Sequence, residues 1–296
     1  MLSYLHGGKL MNGIILINKP EGITSRDVVN TAIKKLSTKK IGHTGTLDPI
    51  ATGVMTICIG KATKLVNLLT SENKEYIAEV TLGIKTDTLD ITGNILEKKE
   101  TNIEKEKLEK VINSFKGKYN QEVPIYSAVK IKGKKLYEYA RNNEEVILPK
   151  REVEIFSIEL LNYKDNKFTF KCTVSKGTYI RSLIKDICTK LETIGTMSKL
   201  TRIKQGKFKL EDCIEIEEIS KDKIIDIKSI LDIKQIQLDD TLKFKILNGQ
   251  IIENIYNEDK VLFKDKNNEV LAIYQKYEKD KTKIKPYIIL YEKKER

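Results

Sequence analysis

Apolar residues along this chain recur with two different periods, and segments of the two kinds alternate. Four consecutive aliphatic residues predict a buried strand at residues 14–17, and a helix follows with Thr24 or Ser25 as N-cap, because apolar positions recur at spacings of three and four. Strict alternation then predicts a half-buried strand at residues 74–84, with Tyr76 on its inward face. Interspersed strands and helices are compatible with an α+β fold but do not select one.

The second half of the chain continues both patterns. A helix is predicted from residue 180 onward with Thr178 as N-cap, and the acidic and aliphatic residues 211–234 are interpreted as a helix and a connection. Beyond them, turn residues at hairpin spacing separate predicted short strands at residues 244–246, 261–263, 270–274 and 287–291. A small all-β module is therefore expected at the C-terminal end.

Length and charge narrow the classes of protein. The 296 residues suffice for one large or two moderate domains, and the net charge of +12 favours a polyanionic partner, although a general lysine bias also explains it. No apolar run approaches the roughly 18 residues of a membrane span, and no signal segment opens the chain. A cytoplasmic protein without membrane contact is expected. Residues 1–10 show no pattern and are interpreted as a tag or an upstream extension.

The four cysteines are far apart in the sequence. They form no CxxC pair and have no histidine at the spacing of metal ligands, so reduced thiols and no metal site are expected at Cys58, Cys172, Cys188 and Cys213.

Residues 41–55 are the main candidate for a catalytic loop. They hold three glycines, three threonines, His43 and the Asp48–Pro49 step. Proline restricts the preceding residue, so Asp48 lies on a stiff backbone, where its carboxylate could act as nucleophile or base. An Asp–Pro turn whose carboxylate only accepts backbone hydrogen bonds explains the same step.

A second candidate is a cation in an unfavourable place. Arg181 falls in the first turn of a predicted helix, where the helix dipole disfavours a cation by about 0.3–1 kcal/mol. An anionic partner, either Asp48 or a phosphate, would offset this cost.

A basic segment at residues 131–141 has tyrosines interleaved among its lysines. This spacing suits contact with a nucleic-acid backbone and stacking on exposed bases, but a solvated helix fits it about as well.

Three separated motifs resemble one family. The string Gly-His-Thr-Gly-Thr-Leu-Asp-Pro-x-Ala-Thr-Gly-Val at residues 42–54 resembles the signature of the TruB family of tRNA pseudouridine synthases. Gly-Thr-Tyr-Ile-Arg-Ser-Leu at residues 177–183 is similar to a second family motif, and residues 199–208 match a third more loosely. The resemblance covers roughly residues 13–208 and is thin beyond them.

The resemblance implies an α+β fold with a mixed, largely antiparallel central sheet and a small C-terminal PUA-like domain. The catalytic domain would span residues 11–235 and include an RNA-gripping insertion at residues 131–150. The PUA-like RNA-binding domain would span residues 236–296.

The resemblance also assigns roles to side chains. The catalytic residues implied by it are Asp48, Arg181 and Tyr76. The substrate-binding residues implied by it are His43, Tyr76, Tyr179, Leu200 and Lys19. The residues expected at the RNA backbone are Lys132, Lys134, Lys135 and Arg141.

The function implied by the resemblance is isomerisation of uridine to pseudouridine at position 55 in the T-loop of tRNA, by a monomer without cofactor or metal. The alternative from another class is a tRNA-folding chaperone or T-arm binding module without chemistry. A metal-dependent nuclease would need clustered carboxylates or histidines, which the sequence does not show.

Overall fold

The computed structural model of the protein describes residues 11–291. The extension interpreted as a tag at residues 1–10 lies outside the described residues. The strands up to residue 226 are β1 (Gly13–Lys19), β2 (Ile41–His43), β3 (Ala51–Ile59), β4 (Lys74–Leu82), β5 (Ile84–Thr86), β6 (Ile95–Lys98), β7 (Gly117–Glu122), β8 (Lys130–Ile131), β9 (Lys134–Lys135), β10 (Lys150–Lys164), β11 (Lys167–Val174), β12 (Gly195–Gln205), β13 (Phe208–Lys209) and β14 (Ile225–Asp226).

The remaining strands are β15 (Lys234–Gln237), β16 (Ile252–Glu253), β17 (Lys260–Lys264), β18 (Val270–Tyr277) and β19 (Asp280–Ile289). The α-helices are α1 (Ser25–Leu36), α2 (Val66–Thr70), α3 (Lys105–Asn113), α4 (Leu136–Arg141), α5 (Ile180–Lys190), α6 (Ile227–Ile230) and α7 (Asp240–Leu247). Short 3-10 helices lie at Gly60–Leu65, Leu210–Asp212, Ile216–Glu218 and Lys221–Lys223.

Ten strands form one large sheet. Their order is β14–β1–β3–β12–β4–β11–β10–β7, with β2 paired to β3 and β13 paired to β12. Every neighbouring pair is antiparallel except β3 with β12, which is parallel. The predicted α+β fold with a mixed, largely antiparallel central sheet is confirmed.

The parallel pair requires a glycine. β12 lies between β3 and β4, and Gly53 of β3 pairs with Arg202 of β12. Gly53 has φ +100°, and a Cβ there would lie 2.3 Å from the carbonyl oxygen of Arg202. No other residue fits this position without moving the strands apart.

The large sheet is covered on both faces. Alternate residues of β1 point to opposite sides, so Ile15 and Ile17 pack in one apolar cluster while Ile14 and Leu16 pack in another. Apolar side chains of helices α1, α3 and α5 pack in the first cluster. The second cluster joins the sheet to side chains of the C-terminal part, including Leu262.

The C-terminal part forms its own five-stranded sheet, in the order β15–β17–β18–β19–β16. Its apolar side chains form a third cluster with α7. It is tied to the large sheet by an ion pair of 2.7 Å between Lys61 and Glu269 and by a hydrogen bond of 2.7 Å from Lys64 to the carbonyl of Ile289. The two sheets therefore share a packed interface.

Two local predictions are wrong. The expected strand at residues 244–246 lies in helix α7, whose N-cap Asp239 accepts a hydrogen bond from the N–H of Leu242. Residues 211–234 form 3-10 turns, the short strand β14 and the four-residue helix α6 rather than one helix. Within residues 11–291, no helix is long and apolar enough to cross a membrane.

Candidate active site

The loop between β2 and β3 carries Asp48. Hydrogen bonds to the backbone on both sides of Asp48 hold this loop in place. The hydroxyl of Ser25 accepts a hydrogen bond of 2.9 Å from the N–H of Leu47 and donates one of 3.0 Å to its carbonyl. The N–H of Ala51 donates to the carbonyl of Asp48 at 3.0 Å. The backbone on both sides of Asp48 is thus fixed.

Lys19 forms hydrogen bonds with the part of the same loop that follows Asp48. Its side chain is fully buried, and its ammonium donates hydrogen bonds to the carbonyls of Pro20, Pro49 and Ala51 at 2.9, 3.2 and 2.7 Å. Burial lowers the pKa of Lys19 to about 8, and the nearby Asp48 carboxylate opposes that shift. All three donors of Lys19 are used by carbonyls around the loop, so Lys19 supports the loop. Its expected contact with substrate stays a prediction.

Arg202 also binds the backbone on both sides of this loop. Its side chain is buried, Nε donates to the carbonyl of Val54 at 2.6 Å and Nη2 to that of Gly45 at 3.2 Å. It makes no ion pair with a carboxylate among residues 11–291. Its role in the folded chain is to orient backbone carbonyls on either side of the Asp48 turn.

Asp48 and Arg181 meet in a two-point contact. Nε of Arg181 lies 2.8 Å from Oδ2 of Asp48, and Nη2 lies 3.0 Å from Oδ1. This is the parallel fork geometry that makes arginine–carboxylate pairs strong. Arg181 is only 6% exposed, whereas the Asp48 side chain is 31% exposed. The carboxylate is therefore fixed in orientation and still open to a ligand.

Two backbone carbonyls complete the shell of Arg181. Nη1 donates to Thr88 at 2.9 Å, and Nη2 donates to Tyr126 at 3.0 Å. Thr88 belongs to the loop between β5 and β6, and Tyr126 follows β7. These anionic and polar partners offset the placement of a cation in the first turn of α5.

Opposing influences act on the Asp48 carboxyl. Burial raises the pKa of Asp48 above its usual value, while the charge and hydrogen bonds of Arg181 oppose that rise. The carboxylate of Asp90 nearby adds to the rise. The result is a more basic carboxylate than a solvated aspartate, which is what a nucleophile or base needs.

Two further predicted site residues are buried in the same apolar cluster as the Asp48 loop. Tyr76 on β4 and Leu200 on β12 share this cluster with Leu47 and Ile50 of the loop. Leu200 pairs in register with Ala51 at the end of the loop, and Tyr76 pairs with Arg202. The predicted inward face of Tyr76 is thus found, and the register places Leu200 next to the loop that carries Asp48.

Tyr179 precedes the helix of Arg181. The predicted N-cap Thr178 is wrong, because the N-cap of α5 is Tyr179, which makes no side-chain capping bond. The hydroxyl of Thr178 instead donates to the carbonyl of Ser175 at 2.9 Å. Tyr179 is half-buried and stands two residues before Arg181.

His43 ends β2 at the start of the loop. Burial lowers the pKa of His43, and the nearby Arg26 and Arg202 lower it further. Nδ1 of the ring accepts a hydrogen bond of 3.3 Å from the N–H of Gly45. The neutral ring then carries its proton on Nε2 and presents a hydrogen-bond donor.

Comparisons with known proteins show the family of this chain. Residues 34–180 match the description TruB family pseudouridylate synthase (N terminal domain). The tRNA pseudouridine synthase B of Caldanaerobacter subterraneus subsp. tengcongensis is 43% identical, over 89% of this chain and 94% of the relative. That of Bacillus subtilis is 41% identical, over 97% of this chain and 100% of the relative. The chain belongs to the TruB family.

A solved structure supports the same assignment. A crystal structure of a Cbf5–Nop10–Gar1 complex is similar with a TM-score of 0.70 and 25% identity, over 95% of this chain and 85% of that chain. As a TruB family member the protein is a pseudouridine synthase, an isomerase.

The basic segment of this TruB family chain contains β8, β9 and α4. The ammonium groups of Lys134 and Lys135 lie 4.6 and 5.2 Å from the ring centres of Tyr139 and Tyr137. The guanidinium of Arg141 lies 5.3 Å from the ring of Tyr137. Lys132 is exposed, and its backbone has φ +49°. The tyrosines and cations that alternate in the sequence therefore contact one another within the segment.

Four residues of this site escaped the sequence analysis as functional residues. Ser25 and Arg202 bond the backbone around Asp48, Asp90 influences its pKa, and Gln121 bonds the backbone of Tyr179. Arg202 lies inside the loose third motif at residues 199–208, which was the available signal, whereas Ser25 was considered only as a helix N-cap. Gln121 had none.

Proposed function

We propose that this protein converts the uridine at position 55 in the T-loop of tRNA into pseudouridine, with Asp48 as the catalytic residue. The observation that carries the proposal is the partly exposed Asp48 carboxylate, held at two points by Arg181. The relatives named tRNA pseudouridine synthase B support tRNA as the substrate.

The reaction exchanges one bond for another. The bond from N1 of the base to C1′ of the ribose breaks, a bond from C5 to C1′ forms, N1 gains a proton and C5 loses one. Nucleophilic attack and removal of a ribose proton both need an ionised carboxylate, and the Arg181 contact favours that form of Asp48.

The target base must leave the helical stack before Asp48 can reach it. Unstacking costs a few kcal/mol, which contacts in a complementary pocket offset. In this proposal Tyr76 and Leu200 form the apolar wall for the base, Tyr179 lies nearby, and His43 donates a hydrogen bond to RNA.

The rest of the molecule would hold the tRNA. Lys132, Lys134, Lys135 and Arg141 would contact the RNA backbone, and the C-terminal sheet would extend the contact beyond the T-arm. The protein is proposed to act as a monomer.

A tritium-release assay tests the proposal. A tRNA transcript labelled with tritium at C5 of its uridines should lose the label of one uridine per molecule. A transcript with cytidine at position 55 should release none. Absence of release from the first transcript, or equal release from both, would refute the proposed substrate position.

A further inference from the structure

A buried glutamine outside the motifs bonds the segment that precedes Arg181. Gln121 lies on β7 and is 1% exposed. Its Oε1 accepts a hydrogen bond of 2.7 Å from the N–H of Tyr179, and its Nε2 donates one of 3.1 Å to the carbonyl of Tyr179. One side chain thus satisfies both backbone groups of a residue 58 positions away.

The bonded residue determines where helix α5 begins. Tyr179 is the N-cap, with extended backbone angles of φ −102° and ψ 114°, and the helix starts at Ile180. Arg181 follows in the first turn. The carbonyl of Tyr179 also accepts a hydrogen bond of 3.0 Å from the N–H of Leu183 in α5. Because no side-chain cap fixes this helix end, the Gln121 amide ties the backbone of Tyr179 to β7.

The same glutamine is linked to the other side of the Arg181 guanidinium. β7 ends at Glu122, one residue after Gln121, and leads to Tyr126, whose carbonyl accepts the hydrogen bond of 3.0 Å from Nη2 of Arg181. Gln121, the short segment to Tyr126, Arg181 and Tyr179 therefore form a closed ring of covalent and hydrogen bonds.

A further contact extends this ring along the helix. Nε2 of Gln121 lies 2.6 Å from the hydroxyl oxygen of Tyr119 and donates to it. Burial raises the pKa of Tyr119, and the nearby carboxylate of Asp186 on α5 raises it further. Gln121 is thus oriented by a partner that lies near the helix.

We infer that Gln121 is a positioning residue for the isomerisation. It does not touch the substrate site. It sets the start of α5 so that the guanidinium of Arg181 reaches both oxygens of Asp48. The inference rests on the proposed function, because it assigns Gln121 a role in the reaction that Asp48 and Arg181 would perform.

The variant Gln121→Glu gives a readout that a purely structural role would not move. When ionised, the introduced carboxylate still accepts the hydrogen bond from the N–H of Tyr179. Its second oxygen, however, faces the carbonyl oxygen of Tyr179, and these two oxygens repel each other. When protonated, it donates there as the amide does. Burial raises the pKa of such a carboxyl.

We therefore expect kcat of Gln121→Glu, relative to the parent protein at the same pH, to be lower by about 10- to 100-fold at alkaline pH, since small displacements of catalytic groups cost this much. The ratio should recover as the pH is lowered, while KM for tRNA stays unchanged. Recovery in one preparation also shows that the variant is folded.

Two further variants bound the inference. Gln121→Met removes both hydrogen bonds and should lower kcat at every pH without recovery. Tyr119→Phe keeps the paired bonds to Tyr179 and should have a much smaller effect. A pH-independent ratio for Gln121→Glu, or equal losses in Tyr119→Phe and Gln121→Met, would overturn the positioning role. If the parent protein itself forms no pseudouridine, the proposed function fails instead.

Discussion

The Asp48 carboxylate combines two properties that oppose each other in water. Removal from solvent makes a carboxylate more basic, but it also favours the protonated form. The two-point contact with Arg181 keeps the charged form favourable without blocking the side chain, which remains 31% exposed. At the scale of single residues, burial therefore raises the basicity of the Asp48 carboxylate while Arg181 favours its charged form.

The first prediction concerns Asp48 itself. Asp48→Asn keeps the size of the side chain but removes the negative charge that both chemical routes require. We expect tRNA binding to persist and pseudouridine formation to fall below detection, as measured by filter binding and tritium release.

A matched control is Asp165→Asn, in the exposed turn between β10 and β11. Asn accepts the left-handed backbone at this position, where φ is +53°. This variant should turn over at the parent rate. Near-normal turnover by Asp48→Asn would show that the chemistry lies elsewhere.

The second prediction concerns Arg181. Lysine at this position keeps the charge but cannot form the planar two-point contact. Arg181→Lys should lower kcat by about 10²- to 10³-fold, the cost of losing one well-placed charged donor. Because the hydrogen bonds and charge of Arg181 lower the pKa of Asp48, weakening them raises that pKa. The ionised, active form of Asp48 then gives way to the protonated form at a higher pH, so the acid limb of the kcat profile should move upward.

Arg151→Lys, at an exposed arginine of β10, serves as the control for the chemistry of the substitution. It should leave both the rate and the pH profile in place. An unshifted acid limb in Arg181→Lys would mean that Arg181 does not set the ionisation of Asp48.

Sequence reasoning found the charged pair because each member stands in a local pattern. Asp48 lies in an Asp–Pro step among glycines, and Arg181 is a cation in a helix first turn. Arg202 and Gln121 act through backbone carbonyls and N–H groups that lie far away in sequence. Such contacts depend on the tertiary fold, and no local pattern announces them.

At the scale of elements, the segment from β8 to α4 is organised by contacts among its own side chains. Lys134 forms an ion pair with Glu144 and lies over Tyr139. Lys135 donates a hydrogen bond of 3.0 Å to the hydroxyl of Tyr137. RNA phosphates would compete for cations that are already oriented, so the segment offers them in a fixed arrangement.

The third prediction tests this segment. Replacing Lys132, Lys134 and Lys135 by glutamine should weaken tRNA binding and reduce the slope of log affinity against log salt by about 0.7–0.9 for each phosphate that the variant no longer neutralises. Turnover at saturating tRNA should remain nearly unchanged. Fluorescence anisotropy across a salt series measures the slope.

The control removes the same charge from helix α3, with glutamine at Lys105, Lys107 and Lys110. If both triple variants shift binding equally, only net charge matters. If the first variant binds normally at every salt concentration, residues 131–141 are a solvated segment that does not hold the tRNA.

Elements with a long and regular pattern were predictable, whereas short ones were not. Alternation over residues 74–84 predicted one strand with Tyr76 inward, and β4 confirms it over residues 74–82. Gly83, with φ +82°, separates β4 from Ile84, which begins β5. At residues 244–246, two apolar residues flank a lysine, which fits a strand period and a helix period equally well in so short a window. The side chain of Asp239 accepts a hydrogen bond from the N–H of Leu242, and this N-cap contact favours the helix.

At the scale of the whole molecule, the C-terminal sheet is part of the same packed body as the catalytic sheet. Lys61 is 8% exposed and its partner Glu269 is 55% exposed. The Lys61 ammonium therefore depends on a carboxylate from the other sheet for its counter-charge.

The fourth prediction follows from that ion pair. Glu269→Gln leaves the Lys61 charge without its counter-ion and should lower the free energy of unfolding by about 1 kcal/mol, a modest value because solvent screens the exposed glutamate. Urea denaturation measures the difference. Asp240→Asn breaks the more exposed pair with Lys266 and should change little. Equal effects of the two variants would contradict a special role for the Lys61 contact.

The insertion of β12 between β3 and β4 has a consequence for the order of folding during synthesis. β3 and β4 are complete by residue 82, but the strand that joins them spans residues 195–205. Arg202 on that strand fastens the Asp48 loop, and Arg181 also emerges late. A ribosome-bound chain that ends before residue 205 therefore lacks a finished central sheet and an assembled Asp48–Arg181 pair. Activity should therefore arise abruptly, and only after β12 has left the ribosome, rather than grow with chain length.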